Sequence, residues 1–250
     1  MERMANLITY DCRPEFHNVI FIEGLPGVGN VGKIAADFIS YKLDCKRLAT
    51  IISSDLPPQV FIDENSCIYS ANNELWYAKD VNGYDIIFLE GEFQGSTPQG
   101  QFNLCKFIFD KIIRYDPKLI ITLGGYGLGE IVESPRVIGA VNDSKLKSKL
   151  EKCGVTFVPS EPQGGIIGAA AMFMSLADEY GIDAACLMGE TSGFLVDHKS
   201  ASNVVDVVCK LLGIEIDTSE MNDEIKQVEQ INQEVQALSE TKPEDLSYFR

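Results

Sequence analysis

Five short, nearly all-apolar runs recur along the chain, separated by longer stretches whose apolar residues repeat every three or four positions. The runs are "NVIFIEG" (18–24), "RLATIISSD" (47–55), "YDIIFLEGE" (84–92), the start of "KLIITLGGYGLGE" (118–130) and "DAACLMGETSG" (183–193). A strand apolar on both faces is one covered on both sides. Between the runs, 28–43, 98–113, 144–154, 165–181 and 199–212 read as helices. Val31, Ile34, Ala35, Phe38 and Ile39 carry the first helical stripe, and Pro98 stands near the start of the second. Gly154 and Gly213 stop the third and the last. Strand and helix in alternation predict an α/β fold: a three-layer α/β/α domain over 1–213 with a mostly parallel sheet. "RVIGAVND" (136–143) and "VTFVPSEP" (155–162) add strands, and Asn72-Asn73, between "SCIYSA" and "ELWYAKD", predicts an inserted hairpin.

In such sheets ligands bind beyond the carboxyl ends of the strands. That rule points to loops 24–30, 91–100, 124–130, 160–168 and 189–198, all rich in Gly, Ser, Thr or Pro. The first loop lies in "GLPGVGNVGK", where two nucleotide fingerprints overlap. Gly27, Gly29 and Gly32 fit G-x-G-x-x-G, and Gly27 to Lys33 fits the G-x-x-x-x-G-K part of a P-loop. A helix N-terminus after a strand is the right context for a phosphate. Each fingerprint nevertheless lacks its completing residue. Ile34 stands where a P-loop has Ser or Thr for magnesium, and Asp55, the candidate ribose ligand, precedes a Pro-Pro break. The other reading is a sharp strand-to-helix corner, with Gly32 letting the helix close on the sheet and Lys33 solvated or ion-paired.

Other chemistry is thinly signalled. Glu90, Glu92, Glu130, Glu161 and Glu190 follow or end strands, without a matched nucleophile and base. "GETSG" (189–193) is no nucleophile elbow, since Ser192 sits one place late. Asp197 beside His198 could orient an imidazole, but reads more simply as a surface loop. No catalytic residue, cofactor or metal site is therefore assigned. Seven cysteines contain no C-x-x-C pair, which fits reduced thiols, and Cys186 and Cys209 read as small core residues. A net charge of −16 argues against nucleic-acid and anionic-membrane partners. No apolar run approaches the ~20 residues of a membrane span. A cytoplasmic location is the expectation.

From Thr218 the pattern changes. Met221, Ile225, Val228, Ile231, Val235 and Leu238 form a narrow apolar stripe close to a heptad seam. Such a helix packs on its own domain, pairs with copies of itself, or projects as an arm. Beyond Pro243 the chain ends in "EDLSYFR", with two aromatics beside the terminus. The stretch 214–250 is thus expected to be an amphipathic helix and a flexible tail.

"IEGLPGVGNVGKIAADFI" (22–39), "LEGEFQG" (89–95), "TLGGYGLGE" (122–130), "PQGGIIGAAAMF" (162–173) and "LMGETSGFLVD" (187–197) resemble, in order, the sequence blocks of the proteasome-assembly-chaperone-type family. The resemblance covers about residues 10–213. It implies a phosphorylase/hydrolase-like α/β/α fold without established catalysis, and a homo-oligomer. It also implies a C-terminal docking tripeptide, hydrophobic, then Tyr or a related aromatic, then any residue, here Tyr248, Phe249 and Arg250. Phe249 stands where Tyr is usual. The expected partners are 20S proteasome α-subunits and other copies of the chain. The competing expectation is an enzyme that binds a nucleotide or nucleoside at the glycine-rich loops.

Overall fold

Aliphatic runs that cannot face water form the middle of a nine-stranded sheet. The computed structural model describes residues 6–226. In chain order the elements are β1 (Asn6–Tyr10), β2 (Val19–Glu23), α1 (Val31–Lys42), β3 (Lys46–Ser53), β4 (Val60–Ile62), β5 (Ile68–Ser70), β6 (Asn73–Val81), β7 (Tyr84–Gly91) and α2 (Pro98–Ile112). Then follow β8 (Leu119–Gly127), β9 (Val137–Val141), α3 (Lys147–Lys152), β10 (Val155–Thr156), α4 (Gly168–Glu179), β11 (Asp183–Thr191) and α5 (His198–Leu212). The strand order is β1-β3-β6-β7-β2-β8-β11-β9-β10. The centre, β7-β2-β8-β11, is parallel, and antiparallel strands flank it on both sides.

Period-two alternation divides the central strands between two cores. Val19 and Phe21 pack with Leu104, Phe109 and Phe173 of α2 and α4. Ile20 and Ile22, equally buried, point the other way. On that side α1 packs against α5, while α2 packs against α4. The three-layer α/β/α expectation is therefore what the structure has. Local signals also hold: Pro98 opens α2, where the Thr97 hydroxyl accepts from the Gly100 amide, and Gly213 closes α5 at φ 66°.

The region 60–84 is a correction. Asn72-Asn73 is not a hairpin turn. β4 and β5 pair only with each other, around Asp63, whose carboxylate accepts from the amides of Asn65 (2.9 Å) and Cys67 (2.8 Å). Asn73 instead begins β6, where its buried amide donates to the Phe93 carbonyl at 3.0 Å. The tight turn of the main sheet joins β6 to β7 at Asn82-Gly83, both with positive φ (49° and 83°). That dipeptide is a strong hairpin signal in its own right. The start of the chain holds a strand that periodicity did not show, β1, antiparallel to β3 at the sheet's edge. Gly124–Gly127, expected in a loop, still belongs to β8.

By contact density the chain divides into two units, 1–216 and 217–250. In the second, 219–226 is helical, and the Asp217 carboxylate accepts from the Ser219 amide at 2.9 Å. Met221 and Ile225 of the expected stripe fall on this helix. Val228, Ile231, Val235, Leu238 and the terminal Tyr248, Phe249 and Arg250 lie outside the described residues. Among the described residues, no helix is long and apolar enough to cross a membrane.

Candidate functional site

The chain leaves β2 toward α1 and the adjacent parallel strand β7 toward α2, on opposite faces of the sheet. A crevice opens where neighbouring strands part in this way. Here one side chain bridges the two loops. The Gln94 side chain donates to the Pro26 carbonyl (2.7 Å) and accepts from the Ala169 amide (2.9 Å) and from the Gln101 side chain (3.0 Å). Gln101 in turn accepts from the Gly95 amide. One pair of amides thus ties loops 24–30 and 91–100 to the start of α4. The Gln163 amide meets the Tyr126 hydroxyl at 3.4 Å, which links 160–168 to the end of β8.

The glycine corner is built by close approach of backbone to backbone. A Cβ on Gly32 would fall under 3 Å from the Leu123 carbonyl oxygen of β8. Conversely, the Val28 carbonyl lies where a Cβ on Gly125 would stand. Gly29 turns the chain at φ 63°, and its carbonyl accepts from the Asp197 amide at 2.9 Å. Gly27 is extended and has nothing within 4 Å of its would-be Cβ. Lys33 pairs with Asp37 (2.8 Å) and Glu92 (3.0 Å), so its charge is already matched by two carboxylates. The Leu128 amide donates to the Thr191 carbonyl at 2.8 Å. Loops 24–30, 124–130 and 189–198 therefore meet in one surface.

The strand-end acids do not converge. Glu190, buried, accepts from the Arg136 backbone amide (2.9 Å) and guanidinium, which hold its carboxyl below the usual range despite its burial. Glu161 is the more distant partner of the same Arg136, at 3.7 Å. Glu92 belongs to Lys33, and Glu130 is exposed. Glu90 faces the α1 side, where it lines a cleft of about 320 Å³ with Asp37, Ser40, Tyr41, Asp44, Cys45 and Trp76. Burial pushes Glu90 up to about 7. Asp197 accepts from the Ser200 amide (2.9 Å) and so caps α5, and Ser192 accepts from the Phe194 amide at 3.4 Å. Among the described residues, no group of three His, Cys, Asp or Glu side chains is placed to hold a metal. Cys186 and Cys209 are buried, and burial raises both thiols to about 12.

Three polar residues were missed by periodicity and motif. Glu23 ends β2 with its side chain buried; one oxygen accepts from the Leu25 amide (3.0 Å) and the other has no hydrogen-bond partner. Burial raises its pKa to about 8, so at neutral pH the group is an uncharged acid. A lone acid in the run "VIFIE" was the available signal. Gln94 and Gln101 carried none, because their role depends on which loops face each other.

The sequence pattern of the PAC2 family matches residues 21–236. Pyrococcus furiosus PbaB, an archaeal proteasome activator, is similar in structure with a TM-score of 0.86 and 36% identity, over 93% of this chain and 99% of that one. Pyrococcus furiosus PbaA, an archaeal homolog of proteasome-assembly chaperone, gives 0.78 and 27%, over 93% of each chain. The uncharacterized protein MJ1210 of Methanocaldococcus jannaschii is 34% identical over 95% of this chain and 91% of its own.

Proposed function

The chain belongs to the PAC2 family, and from that membership we propose that it is a non-catalytic, homo-oligomeric protein that docks on the 20S proteasome α-ring through its C-terminus. It would act there as an assembly chaperone, adaptor or activator. The likeness to PbaB, at 36% identity over nearly the whole of both chains, is the observation that carries this reading. The strand-end geometry supports its non-catalytic part: Gln94 bridges the loops that follow β2 and β7, Glu161 and Glu190 are both held by Arg136, and Glu92 pairs with Lys33.

Docking would use Tyr248, Phe249 and Arg250. The terminal carboxylate would pair with a cation between two α-subunits, and the Phe249 ring would fill the pocket beside it. A single tail binds weakly; several tails on one oligomer raise the effective concentration. The test compares the full chain with a variant lacking residues 248–250 for co-elution with α-rings. Loss of co-elution with an unchanged oligomer is expected. Undiminished co-elution by the truncated chain would refute the docking mode.

A further inference from the structure

Above the packed glycine corner, the same three loops turn apolar side chains outward. Val28 comes from the β2–α1 loop, Leu128 and Ile131 from the segment after β8, and Phe194, Leu195 and Val196 from the segment after β11. Phe194 is 76% exposed, Ile131 85% and Leu195 59%. The loops are held as one surface by the Leu128–Thr191 and Asp197–Gly29 backbone hydrogen bonds. Val28 also lies against both Gly127 and Gly193. This is therefore a patch on a rigid support, unlike scattered apolar side chains, which any surface carries.

Charge and area indicate what covers it. "GLPGVGN" (24–30), "GGYGLG" (124–129) and "TSGFLV" (191–196) contain no charged residue, in a chain with 37 acidic and 21 basic side chains. Glu130 and Glu133 stand beside Ile131 at one edge of the patch, so two copies, each of net charge −16, repel least across its Val28, Phe194 and Leu195 side. Side chains of this size and exposure present on the order of 600 Å² of apolar surface, at the upper end for a monomer. Facing itself, the patch would bury about 1,200 Å² in total, where specific stable interfaces begin. The hairpin β4–β5 also exposes apolar groups, Val60, Ile62, Ile68 and Tyr69, with Asp63 and Glu64 at its tip, but it pairs with no strand of the main sheet.

We propose that the loop surface centred on Phe194 and Leu195 is the face through which two copies of this chain associate. It rests on the self-associating part of the reading above and assigns that association to the carboxyl ends of the strands. The contact is isologous, each patch meeting its twin across a two-fold axis, with Phe194 as the central anchor.

Sedimentation of the full chain over about 1 to 100 µM, with no proteasome present, tests this. The expected result is an oligomer whose dissociation constant rises at least about 100-fold in Phe194→Glu, with an unchanged circular dichroism spectrum. Leu195→Asp, the second variant, should behave alike. Ile68→Glu on the hairpin, Val235→Glu in the arm stripe and deletion of residues 248–250 should each leave the mass as it is. A monomeric wild type at 100 µM overturns the proposal, as does dissociation by Ile68→Glu or Val235→Glu instead of Phe194→Glu. Because the tail deletion is read for mass here and for α-ring binding elsewhere, failure of this inference and failure of the docking reading are told apart.

Discussion

Gly27 and Gly32 stand five residues apart in one corner, yet they answer to different demands. Around Gly32 the chain is so close to β8 that no side chain fits, whereas Gly27 faces open space. The two mark the floor and the rim of the loops at the carboxyl ends. The floor is backbone against backbone, tied by hydrogen bonds and closed by Gln94. The rim is apolar and open. A phosphate cradle needs free amides at the floor, whereas a docking surface needs a rigid floor that holds its rim still. The tied floor and open rim meet the second requirement, and the bonds that tie the floor are accepted by the carbonyls of Pro26, Gly27 and Gly29.

The largest expected effect breaks the floor. By helix propensity alone, Gly32→Ala in α1 would gain about 1 kcal/mol. The Leu123 carbonyl reverses that sign: the helix must shift off the sheet, and a loss of about 3 kcal/mol is expected in the denaturant midpoint. A neutral or stabilising result would mean that α1 is not seated as described.

Two buried strand-end carboxyls sharpen the comparison from within, because they should respond with opposite sign. Glu23 is protonated in the fold up to about pH 8 but ionised in the unfolded chain above its ordinary 4.5. Its contribution is therefore fully present below pH 4.5 and is lost as pH rises toward 8. Glu23→Gln, which titrates in neither state, should be close to wild type in acid. It should become more stable than wild type across that window, by a few kcal/mol at its upper end. Glu190 has its pKa lowered by Arg136, so its contribution is present at neutral pH and is lost as pH falls through that lowered value. Glu190→Gln should cost about 1 to 2 kcal/mol at neutral pH, with the difference shrinking in acid. Arg136 is half exposed, which keeps this figure small. Urea unfolding of both variants at several pH values reads out the two signs.

The smallest effect belongs to the rim. Gly27→Ala has open space and an extended backbone, and should change thermal stability by no more than about 0.5 kcal/mol. A large loss there would show that the corner is packed throughout and remove the distinction between floor and rim.

Much of the fold was legible because its signals are local. Strand and helix periods, Pro98 in the first turn of α2, and Gly213 past the last helical turn depend on residues a few positions apart. Lys33, expected to be solvated or ion-paired, pairs with Asp37 one helical turn on. The hairpin error has a physical cause as well. Asn73 looks like a turn residue by type, but its amide serves Phe93, twenty positions away.

The sequence by itself determined the layered α/β class and the glycine-rich turn after β2, since period, composition and short-range chemistry suffice for these. Only the tertiary structure decided which strands are neighbours. With that came the neutral state of Glu23, the bridging of two loops by Gln94, and the gathering of apolar side chains from three loops onto one face. Desolvation and contact depend on distance in space, and residues from Val28 to Phe194 acquire a common surface only when the sheet brings their strand ends together.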